Sequence, residues 1–189
     1  MKIATSQTEL PELSRREFLG AAVGTASALA AGLALPVRAF ADSSAVGASS
    51  DAARALAAAS TSPLIYVSPL KKDGRESRCH AEVWFVAEGE DLLVVTNPER
   101  WRAACIAAGL DRARIWVGDF GPWKKSDGAF RKAPSYVASA RLDRDPARQK
   151  RALETFGTKY ADEWDKWGPR FRDGLASGER VMIRYTPAA

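Results

Sequence analysis

The chain has 189 residues, with 28 Lys and Arg against 23 Asp and Glu for a net charge of +5, one histidine and two cysteines. Basic and acidic residues are interspersed, so there is no basic stripe of the kind nucleic-acid binding needs. A Ser-His-Asp or Cys-His catalytic site would have to use His80, and metal-ligand spacing and C-x-x-C motifs are absent, which argues against hydrolase and metal chemistry.

Residues 1–41 read as an export signal. Ser14-Arg15-Arg16-Glu17-Phe18-Leu19 matches the twin-arginine pattern, Gly20 to Leu35 is a mildly apolar run, and Ala39-Phe40-Ala41 is a small-x-small cleavage site. The run is too short and too weakly hydrophobic for a comfortable membrane span. The expected location is the periplasm, with the twin-arginine translocase as a partner during export. That route carries folded proteins, often with a cofactor already inserted, which favours a bound cofactor here. Residues 42–62 read as a linker with helical character from Ser50 to Ala59, and residues 63–189 as one domain, long enough to bury a core without disulfides.

Within that domain, Leu64 to Lys71 reads as a strand, with Pro69 pointing to an edge or bulge. Asp73-Gly74 is a tight turn, and Arg75 to Ala87 would run back antiparallel. After Glu88-Gly89-Glu90-Asp91, the apolar run Leu92 to Val95 predicts a strand covered on both faces. A helix is predicted over Pro98 to Ala108, ended by Gly109. Arg114 to Phe120 is the next strand, Gly121 to Pro134 a long hairpin tip, and Ser135 to Leu142 an alternating strand. A helical region from Asp145-Pro146 to about Leu175 carries Phe156, Tyr160, Trp164, Trp167 and Phe171 at helical spacing, with Gly157 and Pro169 as expected breaks. Val181 to Tyr185 closes the domain. The expected class is α+β, mainly β, with about six antiparallel strands in a small closed barrel, since closure removes sheet edges. One helix lies between the third and fourth strands and the helical region precedes the last.

The junction after Val95 is where chemistry is expected. Thr96 and Asn97 occupy the N-cap region, Pro98 the first helical position, and Arg100 and Arg102 flank the first turn. Free backbone N–H groups beside two arginines suit an anion such as a phosphate. Capping alone would explain Thr96 and Asn97. Cys79 is placed in a strand and Cys105 on the apolar side of a helix, so a disulfide and two separate buried thiols both fit. His80 reads as a strand residue packed at a sheet surface.

Val83-Trp84-Phe85, the acidic turn, Val94-Val95-Thr96, the basic helix start and Ala113-Arg114-Ile115-Trp116-Val117 together resemble the FMN-binding split β-barrel family of pyridoxamine 5′-phosphate oxidase-like proteins. The likeness spans roughly residues 62 to 187. It implies an FMN-dependent oxidoreductase acting on a small organic substrate, built as a homodimer with the cofactor between subunits. By that likeness Arg78, on the preceding strand, joins Thr96, Asn97, Arg100 and Arg102 around the cofactor phosphate. Glu99-Arg100-Trp101-Arg102 stands where the family often has Ser-x-Lys. Trp123, on its glycine- and lysine-flanked loop, is the aromatic residue expected beside the flavin ring. The deazaflavin-dependent branch, to which Asp73-Gly74-Arg75-Glu76-Ser77 is similar, is the nearest alternative. A haem-handling split barrel and a binding module without turnover follow it.

Overall fold

The computed structural model describes residues 43–188, with side chains from residue 50 onward. The export signal expected over residues 1–41 lies outside them. Helix α1 (Ser43–Ala59) occupies most of the expected linker, and Ala55 and Ala59 are buried in the main core. Seven antiparallel strands follow: β1 (Ile65–Pro69), β2 (Ala81–Val83), β3 (Val86–Glu88), β4 (Asp91–Thr96), β5 (Arg112–Val117), β6 (Ser135–Asp143) and β7 (Val181–Pro187). Helix α2 (Trp101–Ala107) lies between β4 and β5, and α3 (Pro146–Lys159) and α4 (Ala161–Ser177) between β6 and β7. The fold is therefore α+β. No helix among the described residues is long and apolar enough to cross a membrane.

The strands form one curled sheet in the order β2-β1-β5-β6-β7-β4-β3. Its two terminal strands are consecutive in the chain and separated only by Trp84 and Phe85. The single strand expected over Arg75 to Ala87 is thus two short ones, which raises the count from six to seven. One pairs with β1 (Ile65 opposite Val83) and the other with β4 (Val86 opposite Leu93). The interruption has a tertiary cause. Tyr160 Oη accepts the Phe85 N–H at 2.9 Å and lies 2.9 Å from both Phe85 O and Pro63 O, either of which takes its proton. A side chain so satisfies the backbone polar groups that a ladder would otherwise pair.

Residues 75–80 are not a strand either. The Asp73-Gly74 turn forms, with Gly74 at φ 78° and the Arg75 N–H on Asp73 Oδ1. Beyond one bridge between Leu70 and Glu76 the ladder lapses. Ser77 Oγ takes the Cys79 N–H and the His80 ring bonds Arg78 O, local bonds that compete with strand pairing. Arg78 is therefore not on a strand, and Cys79 is exposed rather than buried.

Strand alternation divides the core. Leu92 and Val94 pack inside the curled sheet with Ile65, Val67, Ile115 and Ile183. Leu93 and Val95 face outward under α3 and α4, against Phe156, Phe171 and Met182. Both faces of β4 are covered, as its continuous apolar run requires. Each such side chain contributes roughly 1.5–3 kcal/mol on burial. A third cluster joins Tyr66 and Trp116 to Phe130 of the 3-10 turn Ala129–Lys132, with Trp123 of the turn Trp123–Lys125 packed against it.

Helix α3 is capped by Asp145, whose Oδ1 accepts from Ala147 N, with Pro146 at its start. Gly157 and Pro169 do not interrupt the helical region; both lie inside helices, and the break falls at Tyr160 (φ −123°, ψ 43°), the residue tethered to Phe85 and Pro63. Gly157 instead makes room for an indole, since a Cβ there would lie 2.8 Å from Trp164 Nε1.

Candidate functional site

The junction after β4 is built differently from a capped helix start. Asn97 Oδ1 takes the Glu99 N–H at 2.7 Å and Arg100 N bonds Asn97 O, which closes a turn over residues 97–100. Helix α2 consequently begins at Trp101, not Pro98, with Arg100 in the capping position and no side-chain cap. Thr96 is the last residue of β4 and buried (5 % exposed), so neither it nor Asn97 is an N-cap. At seven residues, α2 is too short for its dipole to carry the anion-binding argument.

What remains is a matter of charge. Arg102 folds back over the end of β4, where its Nη1 donates to Thr96 Oγ1 at 2.9 Å. Its Nε is buried without a hydrogen-bond partner. Among the described residues no carboxylate forms an ion pair with it. Burial holds the guanidinium pKa below its usual value; Tyr185 opposes that shift, the Arg100 charge adds to it, and Glu82 opposes it weakly. The Tyr185 phenol, buried inside the sheet, is pushed up by desolvation and pulled back by Arg102. Arg100 is exposed beside this partly buried cation. A partly buried, unpaired guanidinium next to a second one favours an anion, because a buried charge without a counter-charge is costly.

A cleft of about 470 Å³ adjoins the junction, between Asn97, Pro98 and Glu99 on one side and Ser177 to Arg180 on the other. Arg180 is spoken for, its Nε donating to Arg170 O at 3.1 Å and its guanidinium lying over Phe171. Arg100 and Arg102 do not line the cleft.

Arg78 and Trp123, the remaining expected site residues, lie elsewhere. Arg78 is exposed, and its carbonyl accepts from the His80 ring at Nδ1. Trp123 lines a pocket of about 250 Å³ with His80, Lys124, Asp127, Phe130 and Arg131, and no junction residue lines it. His80, expected as a strand residue packed at a sheet surface, precedes β2 instead; its side chain is only 10 % exposed and both ring nitrogens are engaged, Nδ1 by Arg78 O and Nε2 by Arg131 Nη2 at 2.7 Å. With Nδ1 donating to a carbonyl, Nε2 is the acceptor, and that nitrogen is not available to ligate a metal. His80 lies just before β2, where Glu82 pairs in register with Tyr66 and its Oε2 takes the Trp123 N–H at 3.2 Å; no pattern in the sequence records that contact.

Cys79 and Cys105 are free thiols, exposed and half-buried respectively. Burial first, and then Cys79, raises the Cys105 pKa, which makes it a packing thiol rather than a nucleophile. No group of His, Cys, Asp or Glu among the described residues is arranged to hold a metal ion.

No protein-family profile matches the chain, and no curated protein matches it in sequence. Solved structures are similar in their chain path. A Listeria innocua protein provisionally assigned as a pyridoxamine 5′-phosphate oxidase is 14% identical, with 73% of this chain and 94% of that one covered and a TM-score of 0.48. The heme storage protein HutZ from Vibrio cholerae is 15% identical over 70% of this chain and 87% of its own, with a TM-score of 0.46. A FAD-binding protein from Mesorhizobium loti is 13% identical over 77% and 91%, with a TM-score of 0.44.

Proposed function

We propose that the chain is an exported, FMN-dependent oxidoreductase acting on a small organic substrate. The observation that supports this is Arg102, a partly buried arginine whose Nε is buried without a hydrogen-bond partner and which pairs with no carboxylate among the described residues. A cofactor phosphate at that point would supply the missing counter-charge. Arg102 and the exposed Arg100 would hold it, with Asn97 at the rim. Thr96 keeps Arg102 in place by accepting from Nη1. When bound, the flavin supplies hydride or electron transfer, which is why no general acid or base is required of the protein. The same phosphate grip would serve a deazaflavin coenzyme, and the visible spectrum separates the two. Haem is less well served, since His80 has both ring nitrogens committed. Homodimerisation and twin-arginine export belong to the proposal through the family resemblance and the residues 1–41 pattern.

The test compares FMN with riboflavin, which lacks the phosphate. Charge-assisted hydrogen bonds contribute roughly 1.5–3 kcal/mol each, so FMN should bind tighter by about tenfold or more. Arg100→Ala combined with Arg102→Ala should abolish that preference while riboflavin affinity stays put. Equal affinity of the wild type for the two ligands, or unchanged FMN affinity in the double variant, overturns the site.

A further inference from the structure

We propose that the pocket between His80, Trp123 and Arg131 is a second ligand site, for a single-ring aromatic carboxylate. It is independent of the flavin reading: it contains neither Arg100 nor Arg102 and shares no lining residue with the cleft beside the junction.

Arg131 is the anion-binding element, and it is held ready. Its Nη1 donates to Glu76 Oε2 at 2.6 Å and its Nη2 to His80 Nε2 at 2.7 Å. The guanidinium also lies over the rings of Trp116 (5.2 Å) and Phe130 (5.4 Å). Those contacts fix the plane of the fork. They use two N–H donors and leave the rest without a partner among the described residues, on a side chain that is 45% exposed. A planar fork locked in advance loses little entropy on taking up a carboxylate. Glu76 offsets one positive charge of this group, and Lys124 restores it at the pocket rim, with its Nζ 5.9 Å from the Trp123 ring.

The wall opposite is aromatic. Trp123 and His80 have ring centroids 5.4 Å apart, and His80 and Phe130 5.8 Å. Trp123 is anchored through its backbone, where N–H meets Glu82 Oε2 at 3.2 Å and O accepts from Ser126 Oγ at 2.8 Å. The turn that shapes the pocket is itself unusual. Asp127, at φ 47°, is the non-glycine residue with positive φ among the described residues, followed by Gly128 at 74°. A flat apolar body against Trp123 with its charge on Arg131 satisfies both walls at once. At about 250 Å³ the pocket falls below the ~300–1,000 Å³ typical for drug-sized ligands, which limits the body to one ring. Asp127 lines the pocket and, like Glu76, works against an anion, so its removal should help.

The experiment is calorimetric titration of the full chain, free of added flavin, with benzoate, benzamide and acetate. Benzoate should bind saturably, and benzamide and acetate at least about tenfold more weakly, the loss of one charge-assisted bond or of ring contact. Arg131→Gln and Trp123→Ala should each weaken benzoate about tenfold, and Lys124→Gln, an exposed residue whose replacement leaves the fold alone, severalfold. Asp127→Asn should tighten it, and Arg172→Gln, distant on α4, should leave it unchanged. Absence of saturable benzoate binding, equal binding of benzamide, or benzoate affinity unaltered by both Arg131→Gln and Lys124→Gln overturns the proposal. Because benzoate carries no phosphate and these variants keep Arg100 and Arg102, such a failure would leave the flavin reading standing.

Discussion

The Tyr160 hydroxyl accepts the Phe85 N–H at 2.9 Å at the one place where the chain leaves one end of the sheet for the other. The two residues are 75 positions apart, and the Trp84 ring stacks on Tyr160 with centroids 4.4 Å apart. The bond thus joins the break between β2 and β3 to the break between α3 and α4. Tyr160→Phe keeps the ring and removes the hydroxyl, which leaves the Phe85 N–H buried without a partner. The expected loss is about 1–3 kcal/mol in urea or thermal unfolding. A variant as stable as the wild type would show that water takes over the role.

A second prediction concerns Gly157 and Gly168, which hold the Trp164 indole from two sides; a Cβ at either would come within 2.8 Å of it. The partly buried indole is also packed on Phe156 and Phe171, contacts it would have to give up to make room. Alanine is the better helix former by about 1 kcal/mol. Overpacking nonetheless costs roughly 1–3 kcal/mol, and that term should win. Gly157→Ala should lower the unfolding midpoint, and adding Trp164→Phe should restore part of it. A stabilised Gly157→Ala would contradict the packing.

Lys159 makes a third. Its Nζ sits 3.5 Å from the centre of the Phe85 ring, and desolvation lowers its pKa from 10.5 to about 8. Between those two values the unfolded chain binds more protons than the folded one, so stability rises with pH across that window and the benefit is absent below it. The four buried tyrosines Tyr66, Tyr136, Tyr160 and Tyr185 act in the other direction. Their pKa values are raised above 10.0 by desolvation, so stability falls as pH climbs past that point. The unfolding free energy should therefore peak between pH 8 and 10. Lys159→Met should flatten the rising limb alone; a rising limb that survives the substitution assigns it to another group.

Much of this architecture is legible in the sequence, for reasons that are local. The apolar run of β4 announced burial on both faces, Asp145-Pro146 a helix start, and Gly109, at φ 76°, a helix end. The features that were not legible depend on residues far away or on a choice between two local bonds. The break at Trp84-Phe85 is set by Tyr160, and no pattern within residues 75–87 records it. Asn97 could have capped a helix, but its carboxamide bonds the Glu99 N–H, and the helix starts later. Pro169 is tolerated inside α4, where the aromatic face on Phe156 and Phe171 holds the helix together. For the site, the clustering of Arg100 and Arg102 was readable. That Arg102 would turn inward onto Thr96 was not, because nothing in the spacing says which arginine finds an acceptor.

Arg102→Met separates two roles for this partly buried cation, holding a ligand or holding the fold. Burying a polar atom without a hydrogen-bond partner costs free energy, so removing the unpartnered Nε need not cost stability. The measurement is the thermal midpoint of the flavin-free protein together with its FMN affinity, for the wild type and Arg102→Met. The midpoint should hold or rise while FMN affinity falls about tenfold or more. A midpoint that drops with FMN affinity unchanged would make Arg102 a structural residue and contradict the ligand role.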